Sequence, residues 1–206
     1  MIRLLISILL LWQSLAWAGS SISFNDTESD SATVAGAALG ANSVTVAAWV
    51  KINGFTEGTF TASDDNTGIV VFNTREVGAD DSPTLMTSTV SGGAGTQQAA
   101  LFTADSDGMA VGCKGATTLS TGTWYFVLGW HDSVANTINI QVDNGTAVSA
   151  ATSTTVGQNS TARFSIGEFG TARYWNGRIQ SAFVFKRVLT AAEITFLYNG
   201  GAGRRF

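Results

Sequence analysis

The sequence contains one histidine, His131, and one cysteine, Cys113. This pair cannot supply the usual ligand set of a zinc site, so zinc binding is disfavoured. A Ser-His-Asp triad is disfavoured too, because Asp132 directly follows His131 and would point to the opposite face of a strand. We interpret His131 as a strand-end residue satisfied by backbone or water. Cys113 cannot form an intrachain disulfide, and we expect it to be a small buried residue.

Charged residues are also scarce. Asp, Glu, Lys and Arg make up 13% of the chain, and the formal net charge is −4 at pH 7. Nucleic-acid binding needs a concentrated basic face, whereas the lysines and arginines here are scattered, so the sequence argues against a nucleic acid as partner. Abundant Gly, Ser, Thr and Ala predict a neutral, hydroxyl-rich surface.

The N-terminus has the pattern of an export signal. A basic start at Met1-Ile2-Arg3 precedes an apolar run from Leu4 to Leu15 and a small-x-small site at Ala16-Trp17-Ala18. We expect residues 1–18 to be a signal peptide and residues 19–206 to form one secreted domain, outside the cell or at its surface. An uncleaved anchor is disfavoured because the run is shorter than the roughly 20 residues that span a bilayer. No later segment predicts a membrane span.

Alternation of apolar and polar residues dominates the rest of the chain, and long helical periodicity is absent. It predicts half-buried strands at Asn42 to Ile52, Trp124 to His131 and Thr137 to Val142, and Asp143-Asn144-Gly145 predicts the turn that leads to Thr146 to Ala150. Further strands are predicted at Gly68 to Phe72, Thr84 to Val90, Gln98 to Thr103, Ala110 to Lys114, Phe164 to Gly167 and Ile179 to Phe185. Many short strands without alternating helices predict an all-β sandwich.

One short helix is predicted near the C-terminus. Thr190 and Glu193 are spaced as a capping box, and Leu189 and Ile194 occupy the two positions of a hydrophobic staple. Gly200-Gly201 can adopt the left-handed conformation that ends a helix. Glu193 is therefore interpreted as a cap and not as a catalytic acid or base.

Four segments carry a family resemblance: SVTVAAWVKI (Ser43 to Ile52), TWYFVLGWHD (Thr123 to Asp132), INIQVDNG (Ile138 to Gly145) and the run from Phe164 to Gly201. In this order they resemble LamG-like jelly-roll domains of the concanavalin A-like lectin/glucanase superfamily, over roughly Ser23 to Gly201. The resemblance implies a two-sheet antiparallel jelly-roll sandwich with ligand sites on a concave face or at rim loops.

The chain departs from the family pattern in two strands. Gln180 and Ser181 stand where relatives often have an acidic residue, and Phe126 stands where they often have a histidine. The first departure argues against the calcium site that many relatives build near the chain ends.

No catalytic residues are predicted. Glucanases of this superfamily resemble one another in a Glu-x-Asp-x-x-Glu strand that supplies nucleophile and acid. The segment nearest to it is Glu28 to Thr33, where Thr33 takes the place of the second glutamate. We therefore expect no enzyme activity, and a divergent glycosidase is the least favoured alternative.

Calcium is the one cofactor that the sequence leaves open. Asp105 and Asp107, followed by Gly108, are the candidate metal ligands, and Asp64-Asp65-Asn66 is a second oxygen-rich cluster. Acidic turns that use Asp and Gly for their geometry are the alternative for both.

Sugar binding requires aromatic faces beside amide or hydroxyl groups. The candidate ligand-binding residues are Tyr174, Trp175, Asn176 and Arg178, in a predicted loop before the last strand. The alternative is that Tyr174 and Trp175 cover the end of the sandwich while Gly177 makes the turn.

Together these patterns predict a secreted, non-catalytic recognition domain that binds carbohydrate or another extracellular surface. The alternative is a structural or adhesion module of a cell surface, an appendage or a virion, which would contact protein. The expected partner is accordingly a glycan or an extracellular protein.

Overall fold

The computed structural model of the protein describes residues 21–24, 32–34, 43–53, 67–73, 84–89, 97–104, 110–152, 163–169 and 173–203. Within these ranges the chain forms antiparallel strands and one α-helix, which confirms the predicted all-β class. The strands are β1 (Ile22–Phe24), β2 (Ala32–Val34), β3 (Val44–Ile52), β4 (Thr67–Asn73), β5 (Thr84–Thr89), β6 (Gln97–Ala104), β7 (Ala110–Leu119), β8 (Trp124–Asp132), β9 (Thr137–Val142), β10 (Val148–Ala151), β11 (Arg163–Ile166), β12 (Glu168–Phe169), β13 (Arg173–Tyr174) and β14 (Gly177–Phe185); the helix α1 is Ala191–Tyr198.

Two six-stranded sheets form the predicted jelly-roll sandwich. Sheet A has the order β1-β14-β3-β8-β9-β10, and sheet B has the order β2-β11-β4-β5-β6-β7. Strands β12 and β13 pair separately. In sheet A the last strand, β14, lies between the early strands β1 and β3, so both ends of the chain meet in one sheet.

The main core fills the space between the sheets. It consists of Val44, Val46, Ala48, Val50, Ile52, Leu85, Ala99, Cys113, Leu119, Tyr125, Val127, Ile138, Ile140, Val142, Trp175 and Ile179. Cys113 is buried, as predicted, and burial raises the pKa of its thiol. Its Sγ donates to the Val148 carbonyl oxygen at 3.2 Å and so links the facing edges of the two sheets.

Strand β3 is buried on both faces, which corrects the prediction of a half-buried strand. Every residue from Val44 to Val50 is buried. The face of sheet A that points away from sheet B, here called the outer face, carries Ala47 and Trp49, and Phe126 and Leu128 lie beside them on β8. Helix α1 covers these side chains through Ile194, Leu197 and Tyr198. Sheet B therefore covers the apolar residues on the inner face of sheet A, and helix α1 covers those on its outer face.

The helix begins as its sequence predicts. The Thr190 hydroxyl accepts from the Glu193 amide, and the Glu193 carboxylate accepts from the Thr190 amide at 2.8 Å. Arg187 donates to the same carboxylate at 2.8 Å, and these contacts lower the pKa of Glu193 to about 2. Asn199 caps the end of the helix in the left-handed conformation, with φ 51°, one residue ahead of the predicted Gly200.

The turn after β9 also matches its sequence pattern. Asp143 and Asn144 have φ of 51° and 56°, the left-handed values that a tight hairpin turn needs. The Asp143 carboxylate accepts from the Phe126 amide at 2.7 Å, which fixes the turn to β8.

Gly177 is held so closely against β3 that only glycine fits. A Cβ at position 177 would lie 2.0 Å from the Lys51 carbonyl oxygen and 2.9 Å from Nε1 of Trp175. We predict that Gly177→Ala lowers the free energy of unfolding by about 1–3 kcal/mol, measured by urea denaturation, because the backbone must shift to remove the overlap. The control is Gly115→Ala, whose Cβ would have ordinary contacts, the nearest being the Ala99 carbonyl oxygen at 3.4 Å. Equal stability of the two variants would contradict the close approach.

Candidate functional site

The predicted ligand-binding segment lies at one end of the sandwich, where β3 ends and β8 and β14 begin. The Trp175 amide donates to the Gly167 carbonyl oxygen at 2.8 Å, and the Asn53 amide donates to the Asn176 carbonyl oxygen at 3.0 Å. These bonds join the segment to two neighbouring parts of the chain. Arg178 is the first exposed side chain that follows it on β14.

The Trp175 ring is not on the surface. The residue is 1% exposed and packs among the core residues between the sheets, so the ring has no free face for a sugar. This position agrees with the alternative in which Trp175 covers the end of the sandwich. Tyr174 ends β13, and its side chain is outside the described part of the structure. The role of Asn176 and Arg178 in ligand binding stays a prediction.

Arg178 lies directly opposite Lys51 across the β14–β3 ladder. Their neighbours Val50 and Ile179 point into the main core, so both cationic side chains belong to the outer face of sheet A. Directly opposite residues in an antiparallel pair have Cβ atoms about 4.5–5.5 Å apart. Arg178 is exposed and Lys51 is partly exposed. Among the described residues, no carboxylate pairs with either cation.

Gln180 lies two residues beyond Arg178 on the same face, opposite Trp49. It is 8% exposed, and its Oε1 has no hydrogen-bond partner. A buried amide oxygen without a donor is destabilising. Lys51, Arg178 and Gln180 are here called the cationic site.

An aromatic side chain borders the cationic site. Trp124 lies opposite Lys51 on β8 and is partly buried. It packs against the apolar cluster under helix α1, which is the set of outer-face side chains that the helix covers. Cations beside an indole form a surface that is suited to an anionic ligand with an apolar ring. The alternation of Asn42 to Ile52 placed Lys51 on the same face as Trp49, but only the register of β14 against β3 brings it to Arg178.

The predicted calcium ligands Asp105 and Asp107 lie outside the described residues, as do Asp64-Asp65-Asn66, Glu28 and the segment 1–18. The strands that flank Asp105 and Asp107 end with the pair Ala104 and Ala110 in sheet B, whereas Arg178 lies in sheet A. Within the described ranges, no three His, Cys, Asp or Glu residues lie together as a metal site would need. In the same ranges, no helix is long and apolar enough to cross a bilayer.

The structure gives His131 no backbone hydrogen-bond partner of the kind that the sequence suggested. It lies on the core face of β8, is 1% exposed, and neither ring nitrogen bonds to a residue in the described ranges. Desolvation lowers the pKa of His131, and the nearby Asp132 charge opposes this effect more weakly. The Asp132 carboxylate instead accepts from the amides of Val134 and Ala135 at 2.9 and 3.0 Å, so the two residues do not form a catalytic dyad.

The burial of His131 predicts stability that depends on pH. Its folded-state pKa lies below the ordinary value of 6.5, so the unfolded chain takes up the proton first as the pH falls. The free energy of unfolding should therefore decline as the pH drops below about 6.5. In the variant His131→Leu this component should be lost, and urea denaturation at several pH values between about 5 and 8 measures the difference. The same pH slope in both proteins would contradict the prediction.

The comparisons with known proteins agree with this architecture. A family model described as the concanavalin A-like lectin/glucanases superfamily (Laminin_G_3) matches residues 26–195. The comparison with curated proteins gave no match.

Three solved structures show the same fold. The chain is similar to the binding domain of Paraclostridial Mosquitocidal Protein 1, with 14% identity, 88% of this chain and 43% of that chain covered, and a TM-score of 0.63. A Bacteroides ovatus protein with a suggested role in carbohydrate binding gives 16% identity, coverage of 84% and 45%, and a TM-score of 0.59. The heptameric SAP-like pentraxin of Limulus polyphemus gives 14% identity, coverage of 75% and 69%, and a TM-score of 0.54.

These identities of 14% and 16% show the fold alone, and the chain spans less than half of the mosquitocidal-protein chain and of the Bacteroides chain. The family match extends over most of the chain and includes all of sheet A except β1. The chain therefore belongs to the concanavalin A-like lectin/glucanases superfamily, as its four motifs predict.

Proposed function

We propose that this protein is an exported, non-catalytic recognition domain that binds a glycan carrying carboxylate or sulfate groups at the cationic site. The observation that carries the proposal is the direct opposition of Lys51 and Arg178 on an accessible face, where no carboxylate of the described residues pairs with either. Like charges in directly opposite positions destabilise a sheet. An anionic group between them would turn this repulsion into two charge-assisted hydrogen bonds.

The remaining groups of the cationic site suit a sugar acid. The Arg178 guanidinium can bind a carboxylate or sulfate through two parallel N–H groups, while the Lys51 ammonium acts as a compact charge. The Oε1 of Gln180 is buried and does not face a ligand, so Lys51 and Arg178 make the proposed contacts. The site thus offers two cationic donors, which the acid group of an acidic sugar matches.

Three carboxylates whose contacts the structure describes hold local structure, and this favours binding over hydrolysis. Glycosidases need two carboxyl groups facing the scissile bond. Asp132 and Asp143 each accept from backbone amides in turns, and Glu193 caps helix α1 and pairs with Arg187. All three are therefore occupied in holding local structure.

The relatives and the N-terminal pattern support recognition outside the cell. The similar structures include the binding domain of a mosquitocidal protein and a protein with a suggested role in carbohydrate binding. The export signal predicted for residues 1–18 would deliver the domain to where such ligands occur. The proposed site needs no bound metal ion. Because Asp105 and Asp107 are predicted calcium ligands, binding is to be measured both with and without calcium.

Glycan binding tests the proposal directly. On an array that pairs sialylated, uronic-acid and sulfated glycans with their neutral counterparts, with and without calcium, the protein should retain acidic glycans. In calorimetric titrations with a retained glycan, Lys51→Gln and Arg178→Gln should each lower affinity about tenfold to a hundredfold, because each removes a hydrogen bond to a charged group. The affinity of the wild-type protein should also fall as salt rises.

The matched control is Lys114→Gln, which removes an exposed lysine from β7 in the other sheet. This variant should bind like the wild type. Equal losses in all three variants would indicate attraction by net charge instead of a site. Failure to retain any acidic glycan, together with self-association that rises with concentration, would instead favour the structural or adhesion module.

A further inference from the structure

A second part of the outer face combines an aromatic ring with ordered polar groups. Trp130 on β8 lies opposite Asn139 on β9, and Asn139 lies opposite Ser149 on β10. Ile138 and Ile140 point into the main core, so Asn139 belongs to the outer face. Trp130 is partly exposed at the border of the cluster under helix α1, and Ser149 is exposed. Trp130, Thr137, Asn139 and Ser149 are here called the Trp130 strip.

Asn139 fixes the hydroxyl groups on either side of it. It is 5% exposed, its Nδ2 donates to Oγ1 of Thr137 at 3.0 Å, and its Oδ1 accepts from the Ser149 hydroxyl. The Ser149 proton is used in this bond, so the lone pairs of Ser149 Oγ are left to accept. The Thr137 oxygen accepts from Asn139, so the Thr137 proton is left to donate. One buried amide thus orients one acceptor and one donor on the same face as the indole.

This arrangement matches a neutral sugar. A pyranose has apolar C–H groups that pack on an indole and hydroxyls that both donate and accept. Because the two protein hydroxyls are already oriented, little side-chain entropy is lost when a sugar binds. We infer that the Trp130 strip is a second binding site, for a neutral hexose residue of a glycan.

The charges around the strip favour a neutral ligand over an acidic one. The Asp132 carboxylate, next along β8 on this face, accepts two turn amides through Oδ1. The guanidinium of Arg187, which lies over the Phe185 ring, is paired with Glu193. Arg187 is therefore engaged by Glu193 and not free to hold an acid group here.

The strip is separate from the cationic site. Trp130 lies opposite Thr45 on β3, and Lys51 lies six residues further along the same strand. At about 3.3 Å per residue the two positions are roughly 20 Å apart. Residues Ala47 and Trp49, which helix α1 covers, lie between them. Loss of binding at one site can therefore be distinguished from loss at the other.

The probe is a set of neutral oligosaccharides, with hexamers of glucose, mannose and galactose in their common linkages, titrated into the full-length protein by calorimetry. At least one should bind. Thr137→Val and Ser149→Ala should each weaken its affinity about threefold to tenfold, since each removes one hydrogen bond. Trp130→Phe should weaken affinity less than Trp130→Ala, because it keeps an aromatic ring and leaves the cluster under α1 better filled.

The matched control is Thr118→Val, an exposed strand threonine of β7 in sheet B, which should bind like the wild type. Acidic-glycan binding should be unchanged in Ser149→Ala, and neutral-sugar binding should be unchanged in Lys51→Gln. The inference is overturned if no neutral oligosaccharide binds, if Thr137→Val and Ser149→Ala bind like the wild type, or if neutral-sugar binding is lost in Lys51→Gln instead. Thermal melts of each variant confirm that it is folded.

Discussion

The double burial of β3 is the constraint on which the rest of the structure depends. Trp49 lies on its outer face, with ring centroids 5.3 Å from Phe126 and 5.8 Å from Tyr198, the latter nearly parallel at 11°. An indole of this size cannot remain exposed without a large loss of hydrophobic stabilisation. Sheet A therefore needs two covers, sheet B on one face and helix α1 on the other. The backbone beyond the helix adds to the second cover, because a Cβ at Gly203 would lie 2.9 Å from Nε1 of Trp49.

This requirement also determines where ligands can bind. An eight-residue helix is too short to cover a six-stranded sheet, so it covers the centre and leaves the two ends of the outer face accessible. The two ends carry different polar groups. Lys51 and Arg178 provide charge at one end, whereas Asn139 orders hydroxyl groups beside Trp130 at the other. The helix that buries Trp49 thus also separates the two proposed sites, the cationic site and the Trp130 strip.

The sequence predicts the elements that local chemistry decides. Thr137 to Val142 is predicted to the residue, and the cap at Thr190 is confirmed, because period-two alternation and capping geometry are local. The second cover over β3 is not predicted, since it arises from a helix about 140 residues later in the chain. The same limit applies to function. The sequence identified Arg178, but its pairing with Lys51, the buried oxygen of Gln180 and the order imposed by Asn139 all depend on strand register, which a single strand does not encode.

The central claim is that ligands bind to the outer face of sheet A, beside helix α1. The most direct test is amide chemical-shift mapping by NMR during titration with an acidic glycan that the array selects. We expect the largest shifts at residues 49–52 and 177–180, on the two strands that carry the cationic site. Shifts concentrated instead on β5, β6 and β7 of sheet B would contradict the claim and place the ligand on the opposite side of the sandwich.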